Sequence, residues 1–212
     1  MKSKSYENLH KILGGLIRLI FRVHSHSPEN EPDECNGQYI IVSNHISNVD
    51  PVLLCAATKK QQPHYMAKKE LFKIPLLRGL IKALGAFPVN RGGADVGAIK
   101  HAIKLLEEGK CVGIFPQGHR YQGVDPKTTD VKTGVAMLAC KTESQILPCF
   151  IKTKKRKITP FFTRVDIIIG KPISFAELAY DPEAKGEYAR ISSYIFEKVC
   201  ELENTDISKK KA

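Results

Sequence analysis

A chain of 212 residues with 42% apolar and 26% charged residues is long enough to bury one sizeable core and too apolar to be disordered. Its 33 lysines and arginines outweigh 22 acidic residues, and the net charge of +11 selects for anionic partners: a membrane surface, nucleic acid or a phosphorylated substrate. No stretch reaches the roughly 18 to 20 uninterrupted apolar residues of a spanning helix, so any membrane is met from its surface.

From about Tyr6 to Val23, Leu9, Ile12, Leu13, Leu16, Ile17 and Ile20 recur at helical spacing with Lys11, Arg18 and Arg22 as the charged positions, which predicts an amphipathic helix. Such a helix either lies among lipid headgroups or packs its apolar face on the domain. Lys2 and Lys4 precede it as in a signal peptide, but the two arginines interrupt the apolar run and no small-residue cleavage site follows. The expected location is therefore cytoplasmic, peripheral to the membrane. Residues 24 to 37 are polar, carry Pro28 and Pro32, and read as a linker.

From Gln38 onward short apolar runs alternate with helical periodicity. Strands are predicted near Tyr39 to Ser43, His64 to Ala67, Ala86 to Val89, Cys111 to Phe115, Ile146 to Ile151 and Arg164 to Ile169. Helices are predicted near Pro51 to Ala57, Pro75 to Leu84, Asp95 to Glu108, Thr133 to Lys141 and Glu183 to Glu203. This rhythm implies an α/β fold with a mixed, largely parallel central sheet flanked by helices, plus the N-terminal amphipathic helix. The units are then 1–24 as the membrane-surface helix, 38–203 as the globular domain and 204–212 as a basic tail ending in Lys209, Lys210 and Lys211. The loop from Pro116 to Asp130 is long for a compact domain, as functional or mobile loops are. Cys35, Cys55, Cys111, Cys140, Cys149 and Cys200 are scattered without a Cys-x-x-Cys pair and read as reduced core residues.

Chemistry concentrates after the first apolar strand. His45 follows it directly, where open α/β sheets place ligands, and Asp50 lies five residues on, beside Pro51 at a helix start. A tight turn brings such a carboxylate to the imidazole, although a capping Asp with a structural His has the same spacing. Imidazole is the natural base for an alcohol attacking a thioester carbonyl, and a carboxylate on its second nitrogen fixes the tautomer. The chain has no Gly-x-Ser-x-Gly elbow to supply an enzyme nucleophile. Arg91 and Arg120 each follow a strand, as two guanidinium forks suited to phosphate or as solvated surface residues. No His, Cys or Asp cluster has metal-ligand spacing, so neither a metal nor a bound cofactor is expected.

With these segments in place, residues from about Gln38 to Ile173 resemble the 1-acyl-glycerol-3-phosphate acyltransferase family, the lysophosphatidic acid acyltransferases, with four family blocks in order. By that resemblance His45 is the general base and Asp50 its partner, in an Asn-His-x-x-x-x-Asp block that also places Asn44 at the substrate. Gly85 to Arg91 form the block that assigns the acceptor phosphate to Arg91. Phe115 to Arg120 match the block usually written Phe-Pro-Glu-Gly-Thr-Arg, so Gln117, Gly118 and Arg120 fall at the same acceptor site, while Pro148 falls near the acyl donor. Lys132 and Gly134 look like the Lys-x-Gly that opens the next helix.

The resemblance implies acyl transfer from acyl-CoA or acyl-carrier protein, as co-substrate, to the sn-2 hydroxyl of lysophosphatidic acid, making phosphatidic acid at the cytoplasmic face of an anionic membrane. Two departures, Gln117 for Glu and His119 for Thr, bear on the acceptor more than on the reaction. Glycerol-3-phosphate or another lysophospholipid stays open as acceptor, and a non-catalytic basic membrane-binding module is the reading from another class. His119 is either a second base or a solvated loop residue. Lys152, Lys154, Lys155, Arg156 and Lys157 suit an anionic leaflet or a solvated loop. Only Phe161 and Phe162 accompany them, too few aromatics for a nucleic-acid stacking surface.

Overall fold

The computed structural model describes residues 14–33, 38–60, 62–89, 95–161 and 163–207, apart from the side chains of residues 76 and 77. Outside these lie the first part of the expected amphipathic helix, Cys35, Arg91 with Gly92 and Gly93, Phe162, and the tail lysines Lys209 to Lys211.

Residues 14–20 are helical (α1) and lead into β1 (Val23–His26). Then follow β2 (Tyr39–Ser43), α2 (Asp50–Ala57), β3 (Pro63–Lys68), α3 (Pro75–Ala83), β4 (Phe87–Val89), α4 (Val96–Glu107), β5 (Cys111–Ile114), α5 (Gly134–Thr142), β6 (Gln145–Lys152), β7 (Val165–Ile169) and α6 (Glu187–Glu201). The strands form one seven-stranded sheet in the order β1-β7-β6-β2-β5-β3-β4. Every pairing is parallel except β6 with β7, so β7 and its neighbour β1 run against the other five.

Both faces of the sheet are covered, and β2 shows how its residues divide between them. Ile40 and Val42 join the core beneath α4, α5 and α6, whereas Tyr39 and Ile41 join the one containing Leu53 and Leu54 of α2. All five β2 residues are buried, as a central strand read from a continuous β-branched run must be. Helix boundaries follow local signals. The Asp95 carboxylate caps α4 by accepting the Ala98 N–H at 3.0 Å, and beyond its C-terminal end Gly109 takes φ +74.

Of the expected linker, the described residues 24 to 33 are instead part of the domain. β1 pairs in register with β7, Val23 against Val165, and the Asn30 side-chain amide donates to the Ile169 carbonyl at 2.9 Å. The buried Glu31 carboxylate accepts the backbone N–H groups of Lys59 and Lys60 at 2.7 and 2.8 Å. The globular unit therefore takes in β1 and the residues up to Asp33, ahead of the expected start at Gln38, and the polar side chains Asn30 and Glu31 that suggested a linker satisfy backbone groups of the domain. On α1 the charge pattern also reads differently in space. Arg18 turns inward and its guanidinium donates to the Ala56 carbonyl near the end of α2 at 2.5 and 3.1 Å, while Ile17 and Phe21 pack on the core and Leu16 and Leu19 stay exposed.

Candidate active site

The chain leaves β2 at Ser43 and turns through residues 44 to 49 before α2 begins, which folds Asp50 back beneath His45. The His45 Nδ1 lies 2.7 Å from Asp50 Oδ2. That same oxygen accepts the backbone N–H groups of Ile46 at 2.6 Å and Ser47 at 2.8 Å. With three donors converging on it, Asp50 Oδ2 is the acceptor, so Nδ1 carries the proton and Nε2 keeps its lone pair. Asp50 is fully buried, and His45 is 7% exposed, enough to present one ring edge to a cleft. The Phe115 ring stacks on the imidazole at 4.1 Å between centroids and 17° between planes, which fixes the ring in that orientation.

The neighbouring residues hold this turn rather than face the cleft. The Asn44 side chain exchanges two hydrogen bonds with the Ile151 backbone on β6, donating to its carbonyl at 3.0 Å and accepting its N–H at 2.8 Å. Gln117 is buried, and its Oε1 accepts the His45 N–H at 2.7 Å while its Nε2 donates to Thr129 Oγ1 at 2.7 Å. Both carboxamides are thus committed to framework bonds, and the substrate contact expected of Asn44 and Gln117 gives way to positioning of His45. The loop from Pro116 to Asp130 is tied down the same way: Tyr121 N–H donates to the His45 carbonyl at 2.8 Å and Lys132 N–H to the Pro116 carbonyl at 2.8 Å.

The cleft beside His45 has a volume of about 320 Å³ and is walled by Val52, Tyr65, Met66, Leu84 and Phe115. Among the described residues its cations are Arg120 and Lys68, both exposed. Arg120 Nη1 donates to Asn48 Oδ1 at 2.5 Å, which ties the end of one family block to the turn that bears the dyad. The site as a whole is an apolar slot with a base at its side and two cations, suited to an acyl chain and a phosphate on one molecule. Lys68 escaped the sequence reading because it is one of two adjacent lysines. Its signal was its position, the last residue of a strand parallel to β5. Arg91 lies outside the described residues, two positions beyond the end of β4.

A family model described as Acyltransferase matches residues 22–152. The chain is 30% identical over 201 residues to a 1-acyl-sn-glycerol-3-phosphate acyltransferase of Bacillus subtilis (strain 168), covering 92% of this chain and 98% of that one. The chain belongs to the 1-acyl-sn-glycerol-3-phosphate acyltransferase family. A protein of the same name from Streptococcus pneumoniae is 33% identical over 175 residues, covering 78% of this chain and 63% of the other. The crystal structure of the 1-acyl-sn-glycerophosphate acyltransferase PlsC from Thermotoga maritima shares the fold at a TM-score of 0.68 and 24% identity, covering 96% of this chain and 80% of that one.

Within this acyltransferase the remaining block residues divide by location. Gly118 takes φ +69 in the turn whose N–H returns to the Phe115 carbonyl at 3.1 Å, so its requirement is conformational. His119 is exposed and does not line the cleft. Pro148 is buried in mid-strand opposite Val42, contributes its carbonyl to Gly170 N–H at 2.8 Å, and lines a separate recess with Gly170 and Leu202. The structure does not bring it to the cleft with His45, Asp50 and Arg120. Burial pushes the Cys111 and Cys149 thiols up from their ordinary range, which makes both inert as nucleophiles.

Proposed function

We propose that the chain transfers a fatty acyl group from acyl-CoA or acyl-carrier protein to the sn-2 hydroxyl of 1-acyl-glycerol-3-phosphate, forming phosphatidic acid. The observation that carries this reading is the His45–Asp50 pair at 2.7 Å, opening on an apolar cleft that also holds Arg120 and Lys68. His45 Nε2 takes the hydroxyl proton as the oxygen attacks the thioester carbonyl, and Asp50 Oδ2 holds the Nδ1 proton and stabilises the imidazolium. Collapse of the tetrahedral adduct breaks the carbon–sulfur bond, and the imidazolium returns its proton to the departing thiolate. The acyl group passes directly between substrates without a covalent enzyme intermediate.

Arg120 and Lys68 hold the acceptor phosphate, joined in this reading by Arg91. The B. subtilis and S. pneumoniae relatives carry this acceptor in their names, and Gln117, where the family usually has Glu, points its carboxamide at the protein framework rather than at the cleft. The enzyme works as a peripheral protein on the cytoplasmic face of the membrane; no helix among the described residues is long and apolar enough to cross a membrane. The test is an acceptor screen with one acyl-CoA, read by lipid mass and by thiol release. Phosphatidic acid formation that depends on 1-acyl-glycerol-3-phosphate is expected from the native chain and not from His45→Ala. Equal thiol release by both proteins would refute the assignment.

A further inference from the structure

Away from the cleft, at the same edge of the sheet, lies a second and wider groove of about 960 Å³ that the reaction does not use. It gathers Arg22, where the chain enters β1, the basic stretch from Lys152 to Lys157, and Arg164 before β7. Reversal of β7 brings these together, since the starts of β1 and β7 then meet the end of β6, with Lys152 opposite Asp166. Two of the charges are internally paired, Arg164 with Asp166 and Arg156 with Glu203, and Lys152 Nζ is engaged by the Glu203 backbone carbonyl. Arg22, Lys154, Lys155 and Lys157 form no ion pair among the described residues and face outward as uncompensated cations.

Near this groove stand three exposed apolar side chains. Phe161, 65% exposed, is the tip of a short loop closed by the Thr163 N–H on the Thr159 carbonyl. It is held at φ +64, a left-handed conformation costly for a bulky residue, by donating its N–H to the Ile20 carbonyl at 2.6 Å. Leu19, 74% exposed, adjoins Ile20, and Leu16 lies one helical turn earlier on the same side. A soluble polyanion accounts for the cations and leaves these side chains unexplained. A bilayer accounts for both, taking apolar tips below its headgroups and cations at its phosphates.

We infer that the β6–β7 connection and the end of α1 form a docking face for an anionic phospholipid bilayer, with Leu19 and Phe161 inserting and Arg22, Lys154, Lys155 and Lys157 meeting lipid phosphates. This deepens the proposed function, resting on its lipid substrate, and it orients the enzyme. β1 and β2 are three strand spacings apart, roughly 14 Å, so a bilayer engaged by this face lies against the edge on which His45 opens.

The test uses the full chain in flotation with vesicles of phosphatidylcholine, alone or with 30 mol% phosphatidylglycerol as a probe concentration (~0.3 of the lipid, enough for a negative surface potential). The combined variant Lys154→Glu, Lys155→Glu, Lys157→Glu is expected to lose binding to the anionic vesicles on the order of 100-fold, at about fivefold per lost cation. Phe161→Ser is expected to weaken binding to both vesicle types, and neither change should alter turnover of detergent-dispersed substrates. Unchanged flotation of both variants overturns the docking face. Unchanged flotation with a raised KM for acyl-CoA also overturns it and assigns the groove to the donor's phosphates. Absence of turnover in the native chain counts against the proposed function alone, because flotation is read independently.

Discussion

The Gln117 carboxamide oxygen accepts the backbone N–H of His45 at 2.7 Å, across 72 positions of sequence. The bond is one link in a directed chain. Thr129 Oγ1 accepts from Gln117 Nε2 and donates its own hydrogen bond to the Pro126 carbonyl at 2.7 Å, so a donor is required on the Thr129 side of residue 117. Gln117→Glu removes that donor and sets a negative charge beside the dyad, which favours the imidazolium. The acid limb of the kcat/KM profile is then expected to move to higher pH, with activity lost first on the acid side. Thr129→Val leaves the limb in place and lowers stability by about 1–3 kcal/mol through an unpartnered Nε2. A limb unmoved in Gln117→Glu would remove Gln117 from the electrostatics of the dyad.

In the proposed reaction Asp50 serves the turn and the chemistry at once. Asp50→Asn keeps the shape but offers a weaker acceptor to Nδ1–H, so kcat is expected to fall on the order of 10³ with acceptor KM little changed. Asp50→Ala also strands the Ile46 and Ser47 N–H groups and costs about 1–3 kcal/mol of stability. Steady-state kinetics together with thermal melts separate the two effects. Full activity in Asp50→Asn would reduce the residue to a cap.

Arg120 and Lys68 face one cleft from different elements. Arg120→Ala is expected to raise the acceptor KM tenfold or more, the loss of about 1.5–3 kcal/mol for a hydrogen bond to a charged group. Lys68→Ala should act in the same direction, and Arg120→Lys should recover part of the loss because the charge remains and the fork does not. If only the donor KM rose in these variants, the cations would belong to the other substrate.

Gly113 lets the Tyr65 ring lie against the sheet: a Cβ there would sit 1.9 Å from the ring. Gly113→Ala must therefore displace Tyr65, which also walls the cleft. The expected result is a loss of about 1–3 kcal/mol in stability and a shift of preference toward shorter acyl chains, measured with a series of acyl-CoA lengths. An unchanged chain-length profile would show that the acyl group does not run past Tyr65.

The dyad was legible because it is local, five residues apart across a strand end and a helix start. β2 and α4 were legible because one is an uninterrupted β-branched run and the other is bracketed by Asp95 and Gly109. β1 was not, since Val-His-Ser-His offers only one apolar residue and becomes a strand only against β7, 142 positions further on by the Val23–Val165 pairing. The roles of Asn44 and Gln117 were hidden for the same reason. Their partners, Ile151 and His45, are distant in the sequence, and a motif reports that a polar residue is needed without reporting which way it points. Lys68 became distinctive only once the sheet put it at the mouth of the cleft.

Reversal of β7 separates two properties that a wholly parallel sheet would join. Residues 153 to 164 connect β6 to β7 without passing through the segments that carry His45, Asp50, Lys68 or Arg120. This hairpin can be recharged or reshaped while the reacting groups keep their geometry. If the inferred docking face holds, adhesion can thus be retuned by changing one surface connection while the His45–Asp50 turn is left alone.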